Sequence, residues 1–258
     1  MDSKSEMIIA EDLVKYYGPH RAVEGLNLTV RSGEVYGFLG PNGAGKTTTL
    51  RILMGLIRPD RGRVVIGGHD ISTEPREAKA IVGFVPDRPF LYEKLTAEEF
   101  LRFLAGVHGI NGGDTQRRIT ELLDFFDLTD WTNELVEGFS HGMKQRLTFA
   151  GALLHKPKVL IVDEPMVGLD PRGARLIKET FRRLADSGCT ILMSTHTLEI
   201  AQETSDRIGI IKNGNLIAEG TMEELRKVAD NDDGRLEDIF LSLTGGESLE
   251  QVIKILRM

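Results

Sequence analysis

The run Gly40-Pro41-Asn42-Gly43-Ala44-Gly45-Lys46-Thr47 carries the clearest chemistry in this 258-residue chain. It satisfies the spacing G-x-x-x-x-G-K-[ST], in which a glycine-rich turn wraps the phosphates of a nucleotide. Gly40, Gly43 and Gly45 allow close backbone approach, so that successive N–H groups turn inward around phosphate oxygens. Lys46 supplies a point charge for the β- and γ-phosphates, and the Thr47 hydroxyl is a ligand for Mg²⁺. Pro41, Asn42, Ala44 and Thr48 complete the predicted contact stretch. A flexible glycine turn that happens to precede Lys-Thr is the bland alternative. The flanks argue against it, because the run follows a predicted strand and opens a predicted helix.

A second element is the pair Asp163-Glu164, which ends the run Lys158-Val-Leu-Ile-Val-Asp163. Four apolar residues without alternation predict a strand buried on both faces, as in a parallel sheet. Such a strand delivers Asp163 at its C-terminal edge, where open α/β sheets bind ligands. There Asp163 is placed to hold Mg²⁺ and Glu164 to polarise an attacking water. Two solvated acids at a strand end would look the same in isolation; the phosphate loop weighs for chemistry.

The elements that must position these groups follow from periodicity. Val23–Val30 alternates apolar and polar residues as a half-buried strand does, and Glu34–Leu39 reads as the strand entering Gly40. Leu50, Leu53, Met54 and Leu56 predict a helix over Lys46–Leu56. Short strands are expected at Arg63–Ile66 and Ile81–Val85. From Thr96 to about Leu154 the spacing turns helical, through Phe100, Leu101, Leu104 and Val107 and again through Ile119, Leu122, Leu123 and Phe126. We read this as a helical lobe inserted into a sheet domain, at about residues 88–155. Beyond Asp163 come a helix over about Arg172–Ser187, a strand at Thr190–Thr195 and a short helix from Leu198. Two apolar runs around Asn213-Gly214 predict a hairpin with a type I′ turn. An ATPase domain over 1–220 and an acidic helical extension over 221–258, including Leu236–Leu243, complete the expected organisation.

Bulk properties narrow the class. The hydrophobic content of 41% and charged content of 28% suit a soluble globular protein. One cysteine, Cys189, rules out an internal disulfide and is expected as a small buried apolar residue. The N-terminus lacks a secretory pattern, and no apolar run approaches the roughly 18–20 residues that span a bilayer. The net charge is −7, with acid concentrated from Glu219 onward and no dense basic stripe, so nucleic acid is not an expected partner.

The segment Phe139-Ser140-His141-Gly142-Met143-Lys144-Gln145-Arg146 gives these parts a common meaning. Ser140 fits the N-cap of a helix containing Leu147, Phe149, Ala150 and Leu154, whose free N–H groups make a further anion site. The segment resembles the signature of ATP-binding cassette (ABC) transporters, LSGGQ followed by x-Q-R, and the resemblance runs over about residues 7–220. It implies an α/β fold: a P-loop NTPase core with a mixed sheet, an N-terminal antiparallel β subdomain and an inserted helical subdomain. It also implies binding and hydrolysis of ATP with Mg²⁺. In that family the signature faces ATP held by a second subunit, so Ser140 and Gly142 are expected to serve another chain in a homodimer or heterodimer. Transmembrane permease subunits are the further expected partners, with the chain cytoplasmic and peripheral on the inner face of the cell membrane.

The same resemblance implies roles for four more residues. Tyr17 matches the aromatic that stacks on adenine, Asp170 the loop that communicates across the dimer, and His196 the switch histidine at the γ-phosphate. Asp87 stands where the family commonly has glutamine, at the metal and the attacking water. Glu164, His196 and Lys46 form the expected catalytic set, and Thr47, Asp163 and Asp87 the expected metal set. His20, His69, His108, His141 and His155 are given no catalytic role. His141 and Met143 replace signature residues; with the ending Arg235 to Gly245 they resemble the ABC-2 export branch. A soluble cassette ATPase working on nucleic acid or ribosomes, a phosphotransferase and a non-hydrolysing regulatory module are the competing classes.

Overall fold

The computed structural model describes residues 5–110, 112–229 and 235–244, so Gly245 and the rest of the expected acidic extension lie partly outside the described residues. Strand β1 (Glu6–Tyr17) turns at Gly18-Pro19 into β2 (His20–Arg31), with Tyr17 paired to His20. Next come β3 (Val35–Leu39), α1 (Lys46–Leu53), β4 (Arg61–Ile66), β5 (His69–Asp70), α2 (Pro75–Ala80) and β6 (Val82–Val85). The lobe holds α3 (Ala97–Val107), α4 (Gly113–Phe125) and α5 (His141–Leu153). The chain then runs through β7 (Val159–Asp163), α6 (Pro171–Asp186), β8 (Thr190–Thr195) and α7 (Leu198–Thr204). It finishes with β9 (Arg207–Lys212), β10 (Asn215–Gly220), α8 (Met222–Val228) and α9 (Leu236–Thr244).

The strands form a 4-stranded sheet in the order β2-β1-β4-β5 and a 6-stranded sheet in the order β10-β9-β3-β8-β7-β6. The first is antiparallel; in the second β9, β3, β8, β7 and β6 run parallel and β10 turns back. Every residue of β3, β7 and β8 is buried, which is why their sequences show no alternation. Helix α1 sits between the sheets, and Leu50, Ile52 and Leu53 join one apolar core with Ile8, Val30, Phe38 and Ile161.

The predicted elements differ from the observed ones in instructive places. Helix α1 stops at Leu53, not Leu56, because Gly55 adopts φ 58° and closes a Schellman cap: Gly55 N donates to Ile52 O (2.8 Å) and Leu56 N to Arg51 O (2.9 Å). Leu56 is left exposed, and so is Val107 at the end of α3. The hairpin turn is as expected, with φ of 49° at Asn213 and 79° at Gly214. Cys189 is buried, and burial pushes its thiol up to about 11. Leu225, Leu236 and Ile239 from α8 and α9 pack against Leu39, Ala201 and Ile208, so the described part of the C-terminal segment caps one end of the sheet. Among the described residues no helix is long and apolar enough to cross a membrane.

The lobe joins the sheet through aromatic rings and one histidine pair. Phe149 of α5 stacks on Phe126 of the lobe and meets Phe181 of α6 at a tilt of 52°, each at 6.1 Å between centroids. His155, just past α5, shares a hydrogen bond with Val82 O (3.1 Å) and stacks on His108 at 3.9 Å. Burial and the adjacent His108 lower the His155 imidazole from 6.5 to about 4. The folded value lies below the unfolded one, so the unfolded chain binds the proton more readily. Stability from this group is therefore complete above pH 6.5 and is lost as pH falls toward 4. In urea unfolding series across that window, His155→Gln should flatten the decline by about 1 kcal/mol, less than the full shift implies because the ring is part-exposed.

Candidate functional site

The parallel register brings four strand ends to one edge. Val85 lies opposite Val162, Asp163 opposite Ser194 and Leu39 opposite Thr195. The residues that follow, Gly40, Asp87, Glu164 and His196, therefore leave the sheet side by side. Gly40 N also donates to Thr195 O (3.3 Å), tying the glycine loop to β8.

The loop is gripped from outside as well. At the tip of the β9–β10 hairpin, Gly214 N donates to Ala44 O (2.9 Å), and Gly214 O accepts from Glu24 N of β2 (3.0 Å). Gly45 takes φ 106°, and a Cβ there would collide with the Ala22 carbonyl oxygen. Only glycine satisfies both conditions, so the motif's spacing reflects this packing as well as room for phosphate.

Lys46 is buried at the head of α1. Its Nζ donates to Gly40 O (2.7 Å) and Pro41 O (3.3 Å) and lies 3.7 Å from Glu164 Oε1. Burial lowers its pKa, and the nearby carboxylates of Glu164 and Asp163 oppose that shift. Glu164 sits at φ 50°, an uncommon conformation for this residue type and one that clusters at functional sites. His196 Nδ1 donates to Glu164 Oε1 at 2.9 Å, and His196 N reaches Oε2 at 3.4 Å. The ammonium and the imidazole both meet Oε1, which fixes the orientation of the carboxylate and leaves acceptor capacity on Oε2.

Asp163 is only 2% exposed and accepts hydrogen bonds from the hydroxyls of Ser194 and Thr47. Burial raises its pKa, the two hydroxyls pull it back, and the charges of Asp87 and Glu164 add to the rise. A buried carboxylate beside a hydroxyl, with a second carboxylate near, is an oxygen donor set that suits a hard divalent cation such as Mg²⁺.

A cavity of about 560 Å³ opens over these groups. Of the predicted residues, Tyr17, Asn42, Gly43, Ala44, Gly45, Lys46, Thr47, Thr48, Asp87, Glu164 and His196 line it. Gly40 and Pro41 lie behind it as carbonyls bound by Lys46, and Asp163 adjoins it through Thr47. Ser140, Gly142 and Asp170 do not line it. Ser140 caps α5 by accepting from Met143 N (3.2 Å), and Asp170 caps α6 by accepting from Gly173 N (2.7 Å).

His20, Ala22, Arg88, His141 and Val167 line the cavity without having been predicted. Two histidines given no role thus border the site. The turn at Gly18-Pro19 was the available signal for His20, since it folds that residue back beside Tyr17. His141 was hidden by reading its segment only as a surface for another chain.

The ABC transporter family model matches residues 23–167. That span includes the phosphate loop, Asp163-Glu164 and the capped turn at Ser140. The chain belongs to the ABC transporter family. It is 41% identical over 219 residues to the linearmycin resistance ATP-binding protein LnrL of Bacillus subtilis (strain 168), covering 85% of this chain and 70% of that one. A solved ATP-binding subunit of an ABC transporter superposes with a TM-score of 0.87 at 33% identity, covering 92% of this chain and 99% of that one. A solved dimeric bacterial ABC transporter cassette gives 0.77 at 27% identity, covering 84% and 99%. The two sheets and inserted helices are those of the ABC ATPase fold, as the signature resemblance implied. In this cassette the Gly45 packing yields a direct test. Gly45→Ala should weaken ATP binding at least about tenfold, since a displaced loop and a strained φ together cost more than 1.4 kcal/mol. Calorimetric titration of the variant against wild type would measure it.

Proposed function

We propose that this chain is the ATP-binding and ATP-hydrolysing subunit of an ABC-2 type exporter and drives substrate movement through a separate membrane permease. The carrying observation is the Glu164 carboxylate, hydrogen-bonded to His196 and 3.7 Å from Lys46 at the phosphate loop. Loop amides from Gly43 and Gly45 and the Lys46 ammonium hold the β- and γ-phosphates, while Tyr17 stacks on adenine at the cavity's other wall. Mg²⁺ would be held by Thr47 and Asp163 with Asp87 alongside, and neutralises phosphate charge when bound. Glu164 accepts the proton of the attacking water, and His196 orients Glu164 and reaches the γ-phosphate.

A dimer follows from where the remaining groups lie. Ser140, Gly142 and Asp170 stand outside the chain's own cavity, at the ends of two capped helices whose free N–H groups suit a phosphate on a second subunit. The permease contact is assigned to a larger cavity, about 790 Å³, at the junction of lobe and sheet. Asp87 shares it with Phe84, Phe90, Leu91 and Leu104, and Phe90 is 88% exposed. An exposed apolar rim on the loop that carries Asp87 would link the membrane partner to the nucleotide. We place the chain at the cytoplasmic face of the membrane through that partner, with 1–220 as the ATPase domain, its helical lobe at about 88–155, and 221–258 as the extension.

Glu164→Gln should keep ATP binding and lower steady-state phosphate release by at least about a hundredfold, the usual worth of a positioned general base. Near-normal hydrolysis in that variant would remove Glu164 as the base. Affinity purification in mild detergent should recover a polytopic membrane protein, and Phe90→Asp should reduce its yield several-fold with ATP binding intact. Recovery of nucleic acid or ribosomes instead would point to the soluble cassette class.

A further inference from the structure

We infer that Gln145 is a positioning residue for Glu164. With ATP on the phosphate loop, its buried side-chain amide accepts a hydrogen bond from the main chain of the loop at 165–168 and fixes the carboxylate toward the attacking water. This rests on the ATPase reading above and adds to it a residue that lines neither the nucleotide cavity nor the groove beside the lobe.

Gln145 is a polar group sealed from water without a partner. It is 1% exposed, and among the described residues neither Oε1 nor Nε2 has a hydrogen-bond partner. Nearly all buried amides in native proteins are bonded, because an unpaired one forfeits the bonds it would make to water. Any nearby arrangement that supplies a partner is favoured over one that does not.

The place of Gln145 on α5 shows where that partner lies. At 3.6 residues per turn it sits one turn beyond His141 and Gly142 and one turn before Phe149, on the same face. His141 and Gly142 rest on the loop after Glu164: a Cβ at Gly142 would stand 3.7 Å from Gly168 O and 3.8 Å from Leu169 Cδ2, and the His141 ring fills the space beside Gly168. Phe149 meets Phe181 of α6 at 6.1 Å. Gln145 lies between these two contacts. A long helical side chain leans toward the N-terminal turn of its own helix, which carries this amide under the loop. Within the loop Val167 N donates to Glu164 O (3.3 Å) and Leu169 N to Met166 O (3.3 Å). The half-buried Met166 packs against the same core as Phe149, and among the described residues its N–H donates to nothing. An unbonded acceptor on α5 and an unbonded donor on the loop thus share one enclosed region.

The ligand is what brings them together. Glu164, which opens the loop, lies 3.7 Å from Lys46 Nζ, bonds His196 Nδ1 at 2.9 Å and sits at φ 50°. A phosphate entering the glycine loop draws the Lys46 ammonium to itself and loosens Glu164 on that side. The loop then shifts until Met166 N–H meets Gln145 Oε1, and the new bond holds the base in its working orientation. Nucleotide that binds this arrangement more tightly shifts the population toward it.

The test uses the full chain, with phosphate release measured across ATP concentrations in Mg²⁺. Gln145→Met keeps the side-chain length and removes the amide. It should lower kcat about tenfold, as expected for one hydrogen bond made in the reacting arrangement, and leave KM for ATP within about twofold. The melting temperature without nucleotide should not fall, since an apolar side chain suits the site of an unpaired amide. In the Glu164→Gln background the same substitution should change the residual rate by less than about twofold, because Gln145 acts through Glu164. An unchanged kcat overturns the role. A loss of kcat together with a fall in melting temperature assigns Gln145 to the core alone and equally overturns it. So does an undiminished loss in the Glu164→Gln background, which separates Gln145 from the base. Each of these leaves the ATPase assignment in place, whereas wild-type chain that releases no phosphate overturns that assignment and the inference with it.

Discussion

The site depends on one constraint, the parallel register of β3, β8, β7 and β6. Parallel strands carry equally spaced, slanted hydrogen bonds, and burial on both faces leaves little freedom to slip. Pairing Leu39 with Thr195 and Asp163 with Ser194 fixes the height at which each chain leaves the sheet. A slip of one residue on β7 would turn Asp163 away from Ser194 and Thr47. Glu164 would then lie outside hydrogen-bond reach of His196. The apolar runs VYGFL, VLIVD and TILMST are thus positioning devices as much as core, since their burial holds the register that places three polar side chains.

The same edge is braced by a part of the chain remote in sequence. The β9–β10 hairpin extends its Asn213-Gly214 tip over the phosphate loop, and Gly214 bonds both to Ala44 and to Glu24. Through that residue the antiparallel sheet, the mixed sheet and the loop are in contact at a single point. A Cβ on Gly214 would stand 2.9 Å from Val23 Cα, so the turn's demand for positive φ and the packing demand converge on glycine. Buried Lys46 is held in place by loop carbonyls on one side and Glu164 on the other. The glycine loop and the Glu164 carboxylate are consequently linked through Lys46.

Much of this was legible because it obeys local rules. The glycine loop, the buried strand ending in Asp163 and the Ser140 cap each have a signature within about ten residues, and all three stand where the spacing put them. Strand β1 was less visible, for a physical reason. Asp12 adopts φ 46° at a bulge between Ala10 and Leu13, so the buried positions Ile8 and Ala10 are followed by Leu13, one step out of phase. Period-two reading fails across such a slip, and the strand that carries Tyr17 went unassigned. The end of α1 was misjudged because Leu56 continues the helical spacing, although Gly55 is a better stop signal than Leu56 is a continuation. Gly214 over Ala44 and His141 over Gly168 are contacts between distant segments and leave no local trace.

The α5 turn, the α6 cap and the Glu164 carboxylate meet at the loop after Glu164. Asp170 caps α6 at its end, Gly168 receives His141 at its middle, and Glu164 begins it with a positive φ. The α5 turn and the Glu164 carboxylate are therefore joined by the five residues of backbone from Glu164 to Gly168. Any movement of the lobe that lifts α5 must either free the imidazole from Gly168 or carry the loop with it. In the second case Val167 N pulls on Glu164 O, and the carboxylate shifts against His196 and Lys46. The lobe and the Glu164 side chain would then move together, and a ligand that binds more tightly to one arrangement than to the other would bias both. A permease that grips the apolar rim at Phe90 would act on that movement from outside, and a nucleotide on the glycine loop would act on it from within.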